Sequence, residues 1–441
     1  MTDLNKIFQS QIKNLLQDER KIAIAVSGGS DSMALALLAN EYAKESGMKI
    51  TAVTIDHGLR PEAAFEAIKV GEWLAKYGIK HHILCWEGDK KLSNIQAEAR
   101  SARYNLMADF CAKLDIKSLL VGHTLNDQAE TVLMRIMRGS GVDGLAGIPA
   151  ISNVFGVNVI RPLLQLNREE LRAYLRGKNQ EWIEDPSNEN TKFTRVQVRK
   201  LISENPEPQL FTQRLADMAS HMARAKDYIE ARISERIKGI VTFHDEGFYT
   251  INISKFKELH KEERLRILAS TLQHISGDAY KPRFDNLEYL HDNILNGNIA
   301  SGSTLWGCAI ATSKKQREEN ILFIYREPAA VMGDMEIINN SQIKWDGRFL
   351  CNVGDVKDKN LKIGALGKSG FEALVRAGFI PELLKKELPA EMQLAKLFMP
   401  KKVIYTFPAL KTLEKVLAVP HIGYYVDENL RQVFCSENVR M

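Results

Sequence analysis

The chain has 441 residues, 45% of them hydrophobic and 26% charged, a balance that excludes global disorder and a collagen-like fibre. At roughly 150 residues per domain, its length suggests about three domains. Lys and Arg number 60 against 55 Asp and Glu, giving +5, and so mild an excess permits an acidic partner such as nucleic acid without requiring one. The five cysteines, Cys85, Cys111, Cys308, Cys351 and Cys435, include no C-x-x-C pair, which disfavours a zinc ribbon, an iron–sulfur cluster and a thioredoxin-type site. An odd, scattered count suits a reducing compartment, and Cys85 and Cys111 read as core. Met1 to Arg20 has no apolar secretory segment, and no run nears the roughly 20 apolar residues of a membrane span. The expectation is a cytoplasmic protein with no membrane partner.

Four short apolar runs open the chain: Lys21–Val26, Ile50–Ile55, His81–Trp86 and Ser118–Gly122. Each precedes a helical stretch, at Ser32–Lys44, Pro61–Tyr77, Asn94–Leu114 and Asp127–Arg138. That alternation predicts an α/β fold with a parallel, Rossmann-like sheet covered on both faces. Ligands of such sheets bind at the carboxyl ends of the strands, here Ser27–Asp31, Asp56–Arg60 and His123–Asp127. Gly139–Gly147 and Asp185–Asn190 are breakers. Phe211–Lys238, Arg264–Ile275 and Phe284–Leu295 have helical periodicity, so 205–330 is expected as a mainly helical domain after a catalytic domain over 1–204. Glu327–Asn340 reads as a linker. Residues 331–441 are expected as a small α+β domain, with strands at Phe349–Val353, Val403–Phe407 and Gly423–Val426 and a helix at Lys368–Ala377.

Ser27-Gly28-Gly29-Ser30-Asp31-Ser32 lies between the first strand and its helix. Two glycines let the backbone turn sharply and approach a ligand, and the helix end behind them offers unpaired N–H groups to an anion. Ser27 and Ser32 add hydroxyls. Asp31 would repel phosphate unless a cation such as Mg2+ bridged the two. The loop is neither G-x-x-x-x-G-K-[ST] nor G-x-G-x-x-G, so a Walker A site and NAD binding are disfavoured. Asp127 and Glu130, three apart at a helix start, share one face. They suit an ammonium, a metal ion or both, or else they merely complement the helix dipole. Arg103 reads as a carboxylate or phosphate contact or as a solvated face. His57 and His123 each read as a structural histidine or a site contact, for His57 with adenine or ribose.

Lys192, Arg195, Arg199 and Lys200 fall in a nine-residue stretch without an acid, and Lys385–Lys415 holds seven lysines, Lys401 and Lys402 among them, against three glutamates. Both stretches suit RNA phosphates, with Tyr405 and Phe407 available to stack on bases. Solvated surface is the plain alternative.

S-G-G-x-D-S after an N-terminal strand resembles the PP-loop ATP pyrophosphatases. Further segments resemble the tRNA(Ile)-lysidine synthase family: Asp56-His57-Gly58-Leu59-Arg60, Ala99-Arg100-Ser101-Ala102-Arg103-Tyr104, His123-Thr124-Leu125-Asn126-Asp127-Gln128-Ala129-Glu130-Thr131, Arg161-Pro162-Leu163-Leu164 and Glu184-Asp185-Pro186-Ser187-Asn188. The likeness is dense over about 20–200. Thr124 stands where the family has a second histidine, and Val196 where it often has an asparagine. The resemblance implies ATP and Mg2+ as cofactors, with Asp31 and Asp127 as metal ligands. Ser27 to Ser32 and His57 would hold the nucleotide, and Asp31, Arg103, Asp127 and Glu130 would carry the chemistry. It further implies free lysine and a CAU-anticodon tRNA(Ile) as substrates, gripped through Lys192, Arg195, Arg199, Lys200, Lys401 and Lys402. The oligomeric state stays open, a homodimer being one option.

Overall fold

The computed structural model describes residues 2–16, 19–56, 58, 62–86, 95–184, 194–278, 282–299, 302–312, 320–356, 360–379, 381 and 399–438. The chain divides into two compact units, Met1–Tyr228 and Ile229–Met441.

In the first unit, helix α1 (Thr2–Leu16) leads into the expected alternation: β1 (Lys21–Ala25), α2 (Ser30–Ser46), β2 (Lys49–Asp56), α3 (Glu62–Ala75), β3 (Lys80–Cys85), α4 (Ile95–Lys113), β4 (Ser118–Leu120) and α5 (Leu125–Ile136). A single turn, α6 (Val142–Leu145), precedes the hairpin β5 (Ile151–Val154) and β6 (Val157–Ile160), and α7 (Arg168–Gly177), α8 (Thr194–Ser203) and the start of α9 (Pro208–Arg236) complete the unit. The sheet order is β3-β2-β1-β4-β6-β5, parallel except for β5, which runs against β6. Side chains alternate across it. Ile22 and Ile24 enter a core with α1, α2 and α7, while Ala23 and Val53 enter a second core with Tyr104, Met107 and Cys111 of α4. Burial on both faces is why the central strands β1 and β4 read as unbroken apolar runs. Cys85 departs from expectation: it closes the edge strand β3 and is exposed. The chain leaves β1 toward β2 and β3 and returns to β4 on the other side, so the strand order reverses between β1 and β4, where open α/β sheets bind ligands.

The three helical stretches expected within 205–330 are present, but the second unit adds a sheet there that the sequence does not suggest. It contains a five-stranded antiparallel sheet, ordered β7-β8-β11-β10-β9, from β7 (Val241–His244), β8 (Phe248–Asn252), β9 (Ser303–Leu305), β10 (Cys308–Thr312) and β11 (Ile321–Arg326). Helices α11 (Lys261–Ser276) and α12 (Phe284–Leu295), with α10 (Ile253–Lys257) before them, cover one face. Leu322 and Ile324 point into that helical core. Phe323 and Tyr325 point into a second core with Trp345, Phe349 and Phe407, so this strand shows no polar face that would betray it in the sequence. The stretch read as a linker carries β12 (Met335–Glu336), which pairs with β13 (Lys362–Ala365). Helix α13 (Gly367–Arg376) is where expected, as is the strand Phe349–Val353. Val403–Phe407 is not a strand: α14 (Lys401–Ile404) starts after Pro400 and buries Val403, Ile404 and Phe407 together, a helical spacing. Among the described residues no helix is long and apolar enough to cross a membrane.

Candidate active site at the carboxyl end of the sheet

The loop after β1 is tied by its own hydroxyls. Ser32 Oγ donates to the Gly29 carbonyl (3.0 Å), accepts from the Ser27 amide (3.1 Å) and lies 3.2 Å from Ser27 Oγ. Gly28 adopts φ +88°, and a Cβ there would stand 2.6 Å from Ile183 Cδ1. Ile183 returns the chain to the loop, its amide donating to the Gly28 carbonyl (2.9 Å). Gly29 caps α2 with no side-chain hydrogen bond, leaving the head of a 17-residue helix open to an anion. From the neighbouring strand end, Gly122 packs so closely that a Cβ would stand 3.1 Å from Asp31 C and Ser32 N. Loop and carboxylate helix therefore meet at the switch point.

Thr124 caps α5, taking the Asp127 amide (3.4 Å), while Asp127 Oδ2 accepts both the Thr124 amide (2.9 Å) and hydroxyl (3.0 Å). Gln128 of the same motif is scaffold, bonding the backbone of Ile148 through both ends of its amide. Arg161 is scaffold too, buried and donating to the Pro149 carbonyl and Ser152 Oγ.

Asp31, Asp127 and Glu130 converge on one side chain that the sequence reading missed. Arg168, the first residue of α7, places Nε 3.0 Å from Asp31 Oδ2, Nη2 3.6 Å from Asp127 Oδ1 and Nη1 3.8 Å from Glu130 Oε1. Its amide is pinned to Asn126 Oδ1 (2.9 Å), and Asn167 closes a capping box with Glu170. A cation at a helix start opposes the dipole, which was the one available signal. Burial pushes the Asp31 carboxyl above its ordinary value against the pull of Arg168. Burial would do the same to Asp127, but Arg168, Arg195 and the Thr124 amide hold it below.

The basic stretch sits otherwise than expected. Arg195 Nε lies 2.6 Å from Glu130 Oε2 and its Nη2 3.1 Å from Asp127 Oδ1, while Arg199 Nε lies 2.7 Å from Glu130 Oε1. Four apart on α8, these arginines engage the carboxylates rather than facing outward. Lys200 pairs with Glu204 (3.6 Å), and Lys401 and Lys402 are exposed at the head of α14. Phe407 is fully buried and unavailable for stacking, and Tyr405 packs 5.7 Å from Phe371. Arg103 belongs to α4, its guanidinium 5.3 Å over Tyr104. His57, Lys192 and Lys385 lie outside the described residues.

Magnesium prefers six hard oxygens at close range. The carboxylates suit it in kind, but Asp127 Oδ1 already faces two guanidiniums and Oδ2 two Thr124 donors. Asp31 Oδ1 accepts from Ser30 Oγ and Oδ2 from Arg168. No group of three or more His, Cys, Asp or Glu among the described residues is arranged for a metal ion. An ion held by Asp31 and Asp127 would have to displace Arg168 from both.

A hydroxyl- and glycine-built loop at the head of α2, set against carboxylates on α5 at a sheet switch point, defines a PP-loop domain, and that family matches residues 4–205. The chain is an ATP-using ligase of this class. The tRNA(Ile)-lysidine synthase of Wolbachia pipientis wMel is 33% identical over 428 residues, covering 96% of this chain and 93% of the relative. That of Orientia tsutsugamushi (strain Boryong) is 34% identical over 430 residues, covering 94% and 92%. Among solved structures, the U34-tRNA thiolase NcsA of Methanococcus maripaludis aligns with a TM-score of 0.42 at 19% identity, over 50% of this chain and 80% of that one. The chain belongs to the tRNA(Ile)-lysidine synthase family.

Proposed function

We propose that this enzyme joins free lysine to C2 of the wobble cytidine of a CAU-anticodon tRNA(Ile) in the cytoplasm, through an adenylated cytidine, releasing AMP and pyrophosphate. The observation that carries the reading is the meeting of Asp31, in the Ser27–Ser32 loop, with Asp127 and Glu130 around Arg168. A cytosine carbonyl oxygen is a poor leaving group, so its loss to an amine needs prior activation. The loop amides and hydroxyls from Ser27 to Ser32 would hold the outer phosphates, with His57 on the adenosine side. Magnesium arriving with the nucleotide would be held by Asp31 and Asp127 and would neutralise charge on the departing pyrophosphate.

Free lysine is only about 0.04% neutral at pH 7. Asp127 and Glu130 would hold its ε-ammonium beside the activated carbon, where it must give a proton to a nearby base before the neutral nitrogen bonds to C2 and the C2–oxygen bond to AMP breaks, and Arg103 would meet a carboxylate or phosphate. The tRNA would be gripped by Lys192, Lys200, Lys401 and Lys402, and by Arg195 and Arg199 once they leave Glu130. The wobble base sits in a loop, so presenting it costs little. The catalytic part would span 1–204, with 205–330 and 331–441 serving the tRNA.

The test is mass spectrometry of nucleosides from unmodified CAU-anticodon tRNA(Ile) incubated with the protein, ATP, Mg2+ and lysine. Lysidine should appear in step with AMP. Unchanged cytidine, or ADP in place of AMP, would overturn the reading.

A further inference from the structure

Arg168 is the one guanidinium shared by all three site carboxylates, each of its three nitrogens facing a different one: Asp31 from the loop helix α2, and Asp127 and Glu130 from α5. Its side chain is 22% exposed, and the backbone leading into it is fixed on α5, the Arg168 amide donating to Asn126 Oδ1 and the Leu166 carbonyl accepting from the Leu125 amide. A side chain so anchored is built for this position. A helix N-terminus and a buried setting both disfavour a cation, so the arrangement is held against local cost by the carboxylates.

We propose that Arg168 is the resident cation of this site: it occupies the focus of Asp31, Asp127 and Glu130 and bars free divalent metal from them, so that metal enters only with the nucleotide. An arginine cannot shed its charge at any working pH, so the bar does not open by titration. Arg195 and Arg199 also engage Asp127 and Glu130, but of the three only Arg168 reaches Asp31, and without it that carboxylate, beside Asp127, would be left for an ion of similar reach. A unit charge near 4 Å matters by several RT even at a surface-like dielectric. Arg168 is thus a positioning residue. It keeps three like charges together while the site is empty and gives way when phosphates offer the metal a better set of oxygens. The inference builds on the proposed metal-ligand role of Asp31 and Asp127, yet its test uses neither RNA nor lysine, so a failure to make lysidine leaves it standing.

The probe is Mn2+ alone, followed by electron paramagnetic resonance of the full-length protein without nucleotide. The unaltered protein should bind Mn2+ weakly, and Arg168→Gln should bind it at least roughly tenfold more tightly. Arg168→Lys, which keeps the charge, should stay close to the unaltered protein. Adding Asp127→Asn to Arg168→Gln should abolish the gain, a result that loosened structure elsewhere would not give. Tight, stoichiometric Mn2+ binding by the unaltered protein overturns the proposal, and that arm decides the matter even if Arg168→Gln does not fold. An Arg168→Gln protein that melts normally but gains no affinity overturns it as well.

Discussion

Thr124 and Asp127 close a reciprocal cap at the head of α5, each accepting a backbone hydrogen bond from the other. The threonine hydroxyl also donates to Asp127 Oδ2 (3.0 Å), so the residue standing in place of a second histidine orients a carboxylate of the site. Thr124→Val, similar in shape, should cost about 1 kcal/mol of stability and lower AMP release at a given ATP concentration. Thr124→Ser should retain both. Melting curves and an AMP assay on the pair check this, and a valine variant as stable and active as the parent would refute it.

Gly122 lets the turn after β4 lie against the loop. Gly122→Ala would put a methyl 3.1 Å from backbone atoms of Asp31 and Ser32, and backbone yields less readily than a side chain. We expect a loss of about 1 to 3 kcal/mol in stability and a larger rise in KM for ATP than fall in kcat, because the displaced element is the phosphate loop. Steady-state kinetics with varied ATP separates the two, and an unchanged KM would show that the close approach does not shape nucleotide binding.

The exposed pair Lys401 and Lys402 is expected to touch RNA phosphate. Affinity for tRNA should then fall steeply with salt. In Lys401→Glu/Lys402→Glu the slope of log affinity against log salt should shrink by roughly two. Filter binding across a salt series measures it. A slope equal to the parent's would remove these lysines from the interface.

His421 lies between Phe349 (4.9 Å) and Phe407 (5.2 Å). Burial, with Arg348 nearby, pushes its imidazole down to about 4. The unfolded chain titrates near 6.5, so folding favours the neutral ring. Stability tied to this residue is complete above pH 6.5 and is lost as pH falls toward 4, by up to about 3 kcal/mol. Denaturant melts of the second unit's transition between pH 7 and 4.5 should show that slope, and His421→Leu should flatten it. A slope that survives the substitution would place its origin elsewhere.

The parallel sheet was legible because strands buried on both faces are apolar throughout and each ends in a turn residue. The loop was legible from its glycines and hydroxyls between a strand and a helix, and Asp127 and Glu130 from their spacing together with the family motif around them; the structure brings Asp31, Asp127 and Glu130 onto Arg168. Arg168 was hidden: it lies 137 residues from Asp31, and a lone arginine after Asn167 looks like a solvated helix start. The sheet around Phe323 and Tyr325 was hidden for the opposite reason, its unbroken apolar strand being as compatible with a buried helix. Phe407 misled because an aromatic among lysines reads as a stacking platform, whereas its neighbours Val403 and Ile404 draw it inward.

The three guanidiniums around Asp31, Asp127 and Glu130 have an effect at a distance. Uncompensated, those carboxylates would repel any long negatively charged molecule approaching the mouth of the site. With Arg168, Arg195 and Arg199 in place, three guanidiniums stand against three carboxylates, so a polyanion drawn in by lysines elsewhere on the surface would meet far less repulsion over the last few ångströms.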